Sequence, residues 1–255
     1  MIIEYHRPAS LEEALSLLNR SQPSTVPLGG GLFINEQVDE DIAVVDIQDL
    51  NLNQIDFKGN RVQIGAGATL EEILAEKKLS PAVIESIKHQ ETYNRRQVAT
   101  LGGTLAASNG RSPIAAVFLA LDAVLELRGE GTAAGEEFLG ELLPLREEKL
   151  AGKLITRITI PAEAAACYHY VARSPADLPI VCAAAARWPS GRTRVVLGGT
   201  GAQPVMVLDG PDEEGARRAA RDAYSAAEDH WASAEYRSHT AEVLVGRCLD
   251  DIHDQ

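Results

Sequence analysis

Residues 95–123 read RRQVATLGGTLAASNGRSPIAAVFLALDA, a paired-glycine segment running through small residues into a strongly apolar helix. Thr100 and Thr104 flank Leu101-Gly102-Gly103, so backbone N–H groups can approach a ligand there with no Cβ in the way. That is the chemistry of phosphate binding. An earlier segment of the same kind, Pro27-Leu28-Gly29-Gly30-Gly31-Leu32, follows the strand-like Ser24-Thr25-Val26. Two such loops can hold one pyrophosphate from opposite sides through concavities lined by amides. Taken singly, each glycine pair also reads as a tight turn, because glycine marks sharp bends of the backbone.

The chain has 255 residues and is 45% hydrophobic, enough for a sizeable core in one to three subdomains. Aromatic residues are only 5%, so that core must rest on Ala, Val, Leu and Ile. A net charge of −13 argues against a nucleic-acid or anionic-membrane surface as the main partner. Cys167, Cys182 and Cys248 are too dispersed for a Cys-x-x-Cys metal site and too few for a four-thiolate cluster. They read as buried free thiols of a reducing compartment. MIIEYHRPAS has no leader pattern, and no apolar run approaches the roughly 18 residues a membrane helix needs, so a soluble, cytoplasmic protein is expected.

In chain order, Ser10-Leu11-Glu12-Glu13 is a capping box opening a helix, and Ile42 to Ile47 is a strand. Ile55 to Phe57 and Arg61 to Gly65 form a hairpin around Lys58-Gly59-Asn60. Thr69-Leu70-Glu71-Glu72 is a second capping box, residues 82–92 are helical, and Val124 to Arg128 alternates as a strand. Phe138 to Leu143 reads as helix and Leu154 to Ile160 as a strand stopped by Pro161. Three later strands are expected, Cys167 to Ala172, Ile180 to Trp188 and Thr193 to Gly198, then helices Glu213 to Ala227 and Ser233 to Val245. Tyr236, Leu244 and Val245 are candidate packing residues, and Gly198-Gly199-Thr200-Gly201 reads as a bend.

Other chemistry is thin. Gly65-Ala66-Gly67 imitates a dinucleotide fingerprint, but Leu70 stands where the third glycine belongs. The six histidines are dispersed without metal-ligand spacing, and there is no Gly-x-Ser-x-Gly elbow. Arg95 and Arg96 suit an ion-paired or solvated role better than a phosphate role, and Asp122 reads as structural.

The segments PLGGGLFINEQ (27–37), IGAGATLEEIL (64–74), RRQVATLGGTLAAS (95–108) and FLALDAVLEL (118–127) together resemble the FAD-binding medium subunit of the molybdenum hydroxylases, the family of xanthine dehydrogenase and carbon monoxide dehydrogenase. The resemblance implies an α+β fold with two α/β FAD-binding subdomains of the vanillyl-alcohol oxidase and p-cresol methylhydroxylase type, at 1–52 and 53–162. A C-terminal antiparallel three-stranded sheet with helices would occupy 163–255. Carried over by position, Leu28, Gly29, Gly30, Gly31 and Leu32 with Thr100, Gly102, Gly103 and Thr104 would wrap the FAD pyrophosphate. Ser108 would reach phosphate or ribityl oxygens and Ile155 would lie near the flavin ring, with no catalytic side chain and no metal ligand. The implied role is electron transfer between an iron–sulfur subunit and an external acceptor, beside a large molybdopterin-containing subunit, in a hetero-oligomer.

The chain departs from the family where the first loop ends Gly31-Leu32 instead of Gly-Thr-Asp or Gly-His-Ser, and where Thr104 replaces Asn. An acidic position aligns with Pro113, and a lysine frequent near His169-Tyr170 is absent. Each lost hydrogen bond to a charged group is worth about 1.5–3 kcal/mol. The alternative reading is therefore a flavin-free docking subunit that keeps the fold.

Overall fold

The computed structural model describes residues 1–34 and 41–255. The end of the first family segment, Asn35 to Gln37, lies outside the described residues.

Three sheets follow one another along the chain. β1 (Ile2–His6), β2 (Ser24–Leu28) and β3 (Ile42–Asp46) form a parallel sheet in the order β1-β3-β2. Helix α1 (Leu11–Leu18) connects β1 to β2. Ser10 caps α1 by accepting from the Glu13 N–H, and Glu13 reaches back to the Ala9 N–H. Every residue of the central strand β3 is buried, as a parallel strand covered on both faces requires.

The second sheet is antiparallel, in the order β4-β5-β8-β6-β7. β4 (Ile55–Lys58) and β5 (Arg61–Gly65) make the expected hairpin; β8 (Lys153–Pro161) pairs with β5 and β6 (Val124–Gly129), and β7 (Gly135–Phe138) with β6. Between them run α2 (Leu70–Leu74), α3 (Pro81–Gln90), α4 (Tyr93–Arg96), α5 (Leu101–Ala106) and α6 (Pro113–Ala120), and beyond β7 come α7 (Leu139–Leu142) and α8 (Arg146–Leu150). Phe138, expected in a helix, closes β7 instead, and the helix begins one residue later.

All eight residues of α6 are buried. A helix apolar on every side must be covered on every side, and α6 packs between α3 and the third sheet. Ser112 caps it by accepting from the Ala115 N–H, and Pro113 occupies its first turn. It ends where Asp122 turns left-handed (φ 55°) and the Ala123 N–H returns to the Phe118 carbonyl.

The C-terminal sheet has four strands, not three: β9 (Ala165–Val171), β10 (Val181–Arg187), β11 (Thr193–Gly198) and β12 (Val205–Gly210), ordered β12-β11-β10-β9 and antiparallel throughout. The sequence hid β12 because it is an edge strand between Pro204 and Pro211, with Val205 and Met206 exposed. Strand β10, VCAAAAR, is buried on both faces. Ala183 and Ala185 face the C-terminal helices, whereas Cys182, Ala184 and Ala186 join the core around α6. Alanine leaves room for helices on both sides.

Those C-terminal helices are α9 (Ala216–Ala223), shorter than expected, and α10 (Ala234–His253), longer. Within α10, Gly246 makes room for Arg217: a Cβ there would lie 2.9 Å from its guanidinium carbon. Leu244 and Val245 are buried, but Tyr236 is 46% exposed and does not pack.

Candidate functional site

The segment at Thr100–Thr104 is a helix start, not a loop. Thr100 is the N-cap of α5 and accepts from the Gly103 N–H at 3.3 Å. The chain from Gly65 to Thr69 lies against it: Leu101 N–H donates to the Ala68 carbonyl and Gly102 N–H to the Ala66 carbonyl, both at 2.9 Å. Ala66 N–H in turn donates to the Thr156 carbonyl of β8. This places Ile155, buried in the main core, one residue from the strand position that anchors the segment. Gly102 is glycine because a Cβ would sit 2.7 Å from that of Ala66.

The first glycine segment docks on the second. A Cβ on Gly29 would lie 2.6 Å from Thr100 Oγ1, and one on Gly30 only 1.6 Å from the Val98 carbonyl oxygen. Gly31 is left-handed at φ 75°. Leu28 ends β2, and its carbonyl accepts from the Ile47 N–H. Among the described residues no acceptor is supplied to the N–H groups of Gly29, Gly30 and Gly31. Leu32, in place of a polar residue, packs partly buried against the main core. Thr104 is 1% exposed and its Oγ1 is buried without a hydrogen-bond partner among the described residues. Three free amides, one of them on a left-handed glycine, thus lie along a seam between β2 and the start of α5, one helical turn before the orphaned Thr104 hydroxyl.

Ser108 is spent differently. Its Oγ donates to the Leu105 carbonyl at 2.8 Å, and its own carbonyl accepts from Arg146 Nη1. The turn behind it meets the third glycine cluster: Gly110 N–H donates to the Gly201 carbonyl and Gly199 N–H to the Gly110 carbonyl. Gly65 and Gly67 likewise serve close approach, since both would drive a Cβ toward the Leu52 carbonyl oxygen, at 2.1 and 3.2 Å. The dinucleotide-like spacing there is packing. Arg95 and Arg96 are paired with Glu91 and Glu71. Asp122 pairs with Arg192 and Arg194, a structural role.

Two polar clusters escaped the sequence reading because they span distant elements. His89 of α3 is buried against β9, stacked on Tyr170 with 3.7 Å between ring centroids. Its Nε2 lies 2.8 Å from the Asp177 carbonyl, which can only accept, so Nδ1 accepts from the Tyr168 hydroxyl at 2.8 Å. Burial of the imidazole pushes its pKa down, toward this neutral form. On the opposite face of β9, Cys167 and His169 meet Cys248 and Asp251 of α10. Hydrogen bonding from Cys248, then from His169, lowers the Cys167 thiol to about 6 against the opposing effect of burial. All three cysteines are free and buried. No helix among the described residues is long and apolar enough to cross a membrane.

The family described as FAD binding domain in molybdopterin dehydrogenase matches residues 1–163. The protein YgfM of Escherichia coli K12 is 30% identical over 259 residues, covering 98% of this chain and 96% of that protein. The carbon monoxide dehydrogenase medium chain of Afipia carboxidovorans is 27% identical, covering 97% and 95%. The structure of reconstituted carbon monoxide dehydrogenase from Oligotropha carboxidovorans superimposes with a TM-score of 0.81 at 25% identity, covering 97% of this chain and 96% of that one. The chain therefore belongs to the FAD-binding domain family of the molybdopterin dehydrogenases.

Proposed function

We propose that the seam between β2 and α5 holds the FAD diphosphate and that the chain relays electrons within a molybdenum hydroxylase complex. The observation that carries this reading is the run of free amides at Gly29, Gly30 and Gly31, docked on Val98 and Thr100 one helical turn before the buried, unpartnered Thr104 hydroxyl. A dianionic group needs donors that are already oriented, and successive backbone N–H groups in such a turn supply them without a mobile side chain. The contacts of Gly29 on Thr100 and of Gly30 on Val98 fix where those donors point.

In this reading Leu28 and Leu32 frame the glycines, Thr100 and Gly103 close the opposite side, and Gly102 lets α5 approach. Ile155 contributes an apolar wall beside the ring, and Ser108 supports the end of α5 through Leu105 instead of reaching the cofactor. When bound, FAD supplies the capacity to take electrons in pairs and pass them on singly. The protein's part is to bind, orient and exclude water. The units 1–52 and 53–162 would hold the cofactor between them and 163–255 would cover it. Three dispersed cysteines cannot make a four-thiolate cluster, so an iron–sulfur subunit and a molybdopterin-containing large subunit would be separate chains.

The test is an absorption spectrum of the purified chain before and after FAD addition and removal of excess. Retained flavin bands, near about 375 and 450 nm for an oxidised flavin, support the reading. A colourless protein in both samples, with no heat of binding, would leave the flavin-free docking subunit in its place.

A further inference from the structure

The face of β9 turned away from α3 carries Cys167 and His169 at i and i+2, and α10 presents Cys248 and Asp251 to it at i and i+3. His169 Nε2 lies 2.8 Å from Asp251 Oδ2, and Cys167 Sγ lies 3.4 Å from the same oxygen. The thiol, imidazole and carboxylate atoms all fall within 4.8 Å of one another. Cys248 lies beside Cys167 on the buried side and donates its own thiol hydrogen to the Ala183 carbonyl at 3.5 Å. The His169 and Asp251 side chains are 33% and 53% exposed, so the group is walled by protein on one side and reachable from solvent on the other.

We propose that Cys167, His169 and Asp251 bind one thiophilic divalent cation of the zinc type, clamping the edge strand β9 to the last turns of α10. The donor set, one thiolate, one imidazole nitrogen and one carboxylate oxygen, selects a borderline-soft metal over magnesium or calcium. Ligands about 2.0–2.3 Å from a tetrahedral zinc stand roughly 3.3–3.8 Å apart, a spacing bracketed by the separations here. The fourth position falls to water, because the Cys248 thiol is turned to the Ala183 carbonyl.

A second feature points the same way. Asp251 lies in the last turn of a 20-residue helix, three residues before Asp254 and beside Asp250, whose charge Arg217 already meets at 3.2 Å. Carboxylates there meet the negative end of the helix dipole, an arrangement that costs stability unless a cation balances it. His169 supplies that balance only when protonated, whereas a divalent ion supplies it at any pH where the thiolate forms. The ion needs Cys167 as thiolate and His169 as neutral imidazole, so whatever proton this pair holds is released to solvent when the ion binds. The site shares no residue with the glycine seam and does not depend on the flavin.

The experiment uses the full-length chain, reduced and stripped with a chelator, titrated with cobalt(II) alone and then with zinc(II) alone. Expected are a thiolate-to-cobalt charge-transfer band saturating at one equivalent, its displacement by zinc, and a zinc-dependent rise in melting temperature. Asp251→Asn and His169→Gln, at exposed positions that leave the fold intact, should each weaken the cobalt affinity by more than the roughly tenfold to hundredfold lost with an outer-shell partner. Cys167→Ser should abolish the band, and flavin content should not change in any of the three. A titration without a charge-transfer band overturns the proposal. So does a band that survives Cys167→Ser, or zinc affinity unaltered in both surface variants.

Discussion

At Gly29-Gly30-Gly31 the backbone N–H groups meet no acceptor among the described residues, whereas at Leu101, Gly102, Gly103 and Thr104 every amide is already bonded within the chain. The same residue type serves two purposes. In the first segment glycine frees donors and permits a left-handed turn; in the second it lets a helix start press against Ala66 and Thr100. On the proposed reading, ligand donors come from the first segment's backbone and the second segment's side chains. Paired glycines in sequence announce close approach, and only the hydrogen-bond pattern tells whether a ligand or the protein itself approaches.

The largest expected effect follows from Gly30→Ala. Its Cβ would collide with the Val98 carbonyl, a backbone atom that cannot rotate away. A loss of about 3 kcal/mol, the upper end for overpacked sites, should accompany near-complete loss of flavin, read by thermal unfolding and by absorbance. Gly102→Ala meets the Ala66 Cβ at 2.7 Å and the Ala66 carbonyl oxygen at 3.0 Å, both well beyond the 1.6 Å at Gly30, so it should cost less stability and leave flavin content per folded chain nearly unchanged. If the two variants lost flavin equally at equal stability, the distinction between donor segment and packing segment would fail.

Thr104→Val comes next and sharpens the distinction from the other side. Its hydroxyl has no partner among the described residues, so the isosteric change removes a buried unsatisfied group. The flavin-free chain should be as stable as the parent or slightly more so. FAD affinity should nevertheless fall about tenfold, the value of one hydrogen bond near 1.4 kcal/mol, measured by calorimetry. A melting temperature that drops with unchanged affinity would assign Thr104 to packing alone.

The regular elements were legible because their signals are local. Ser10 and Thr69 cap where the Ser-x-x-Glu and Thr-x-x-Glu spacings placed them, and the apolar run from Pro113 is the buried central helix. What failed were signals whose meaning depends on distant contacts. Strand β12 shows Val205 and Met206 to solvent, and the last helix runs on past Val245 through Gly246, against which Arg217 packs. The glycine segments were legible as a pair, but which one keeps its amides free is decided by the 65–69 strand crossing behind α5. The Cys167, His169 and Asp251 cluster was illegible for the same reason. Its residues are 84 positions apart at the Cys167–Asp251 bond and meet only because α10 lies on β9.

The smallest predicted effect tests whether the two segments form one unit. Thr100 Oγ1 lies where a Gly29 Cβ would need to be, 2.6 Å away, and also accepts from the Gly103 N–H. Gly29→Ala alone should destabilise by forcing the Thr100 side chain from its cap. Thr100→Ala alone should cost about 1 kcal/mol for the lost cap. In the double variant the clash has no second partner, because the nearest atoms to the new Cβ all belong to the Thr100 side chain. The combined loss should therefore fall short of the sum by about 1 kcal/mol, within the range for residues in direct contact. Urea unfolding of the four chains gives this coupling directly. Strict additivity would mean that the first segment relaxes away from the second at little cost, and that the donors at Gly29, Gly30 and Gly31 are not held in place by α5.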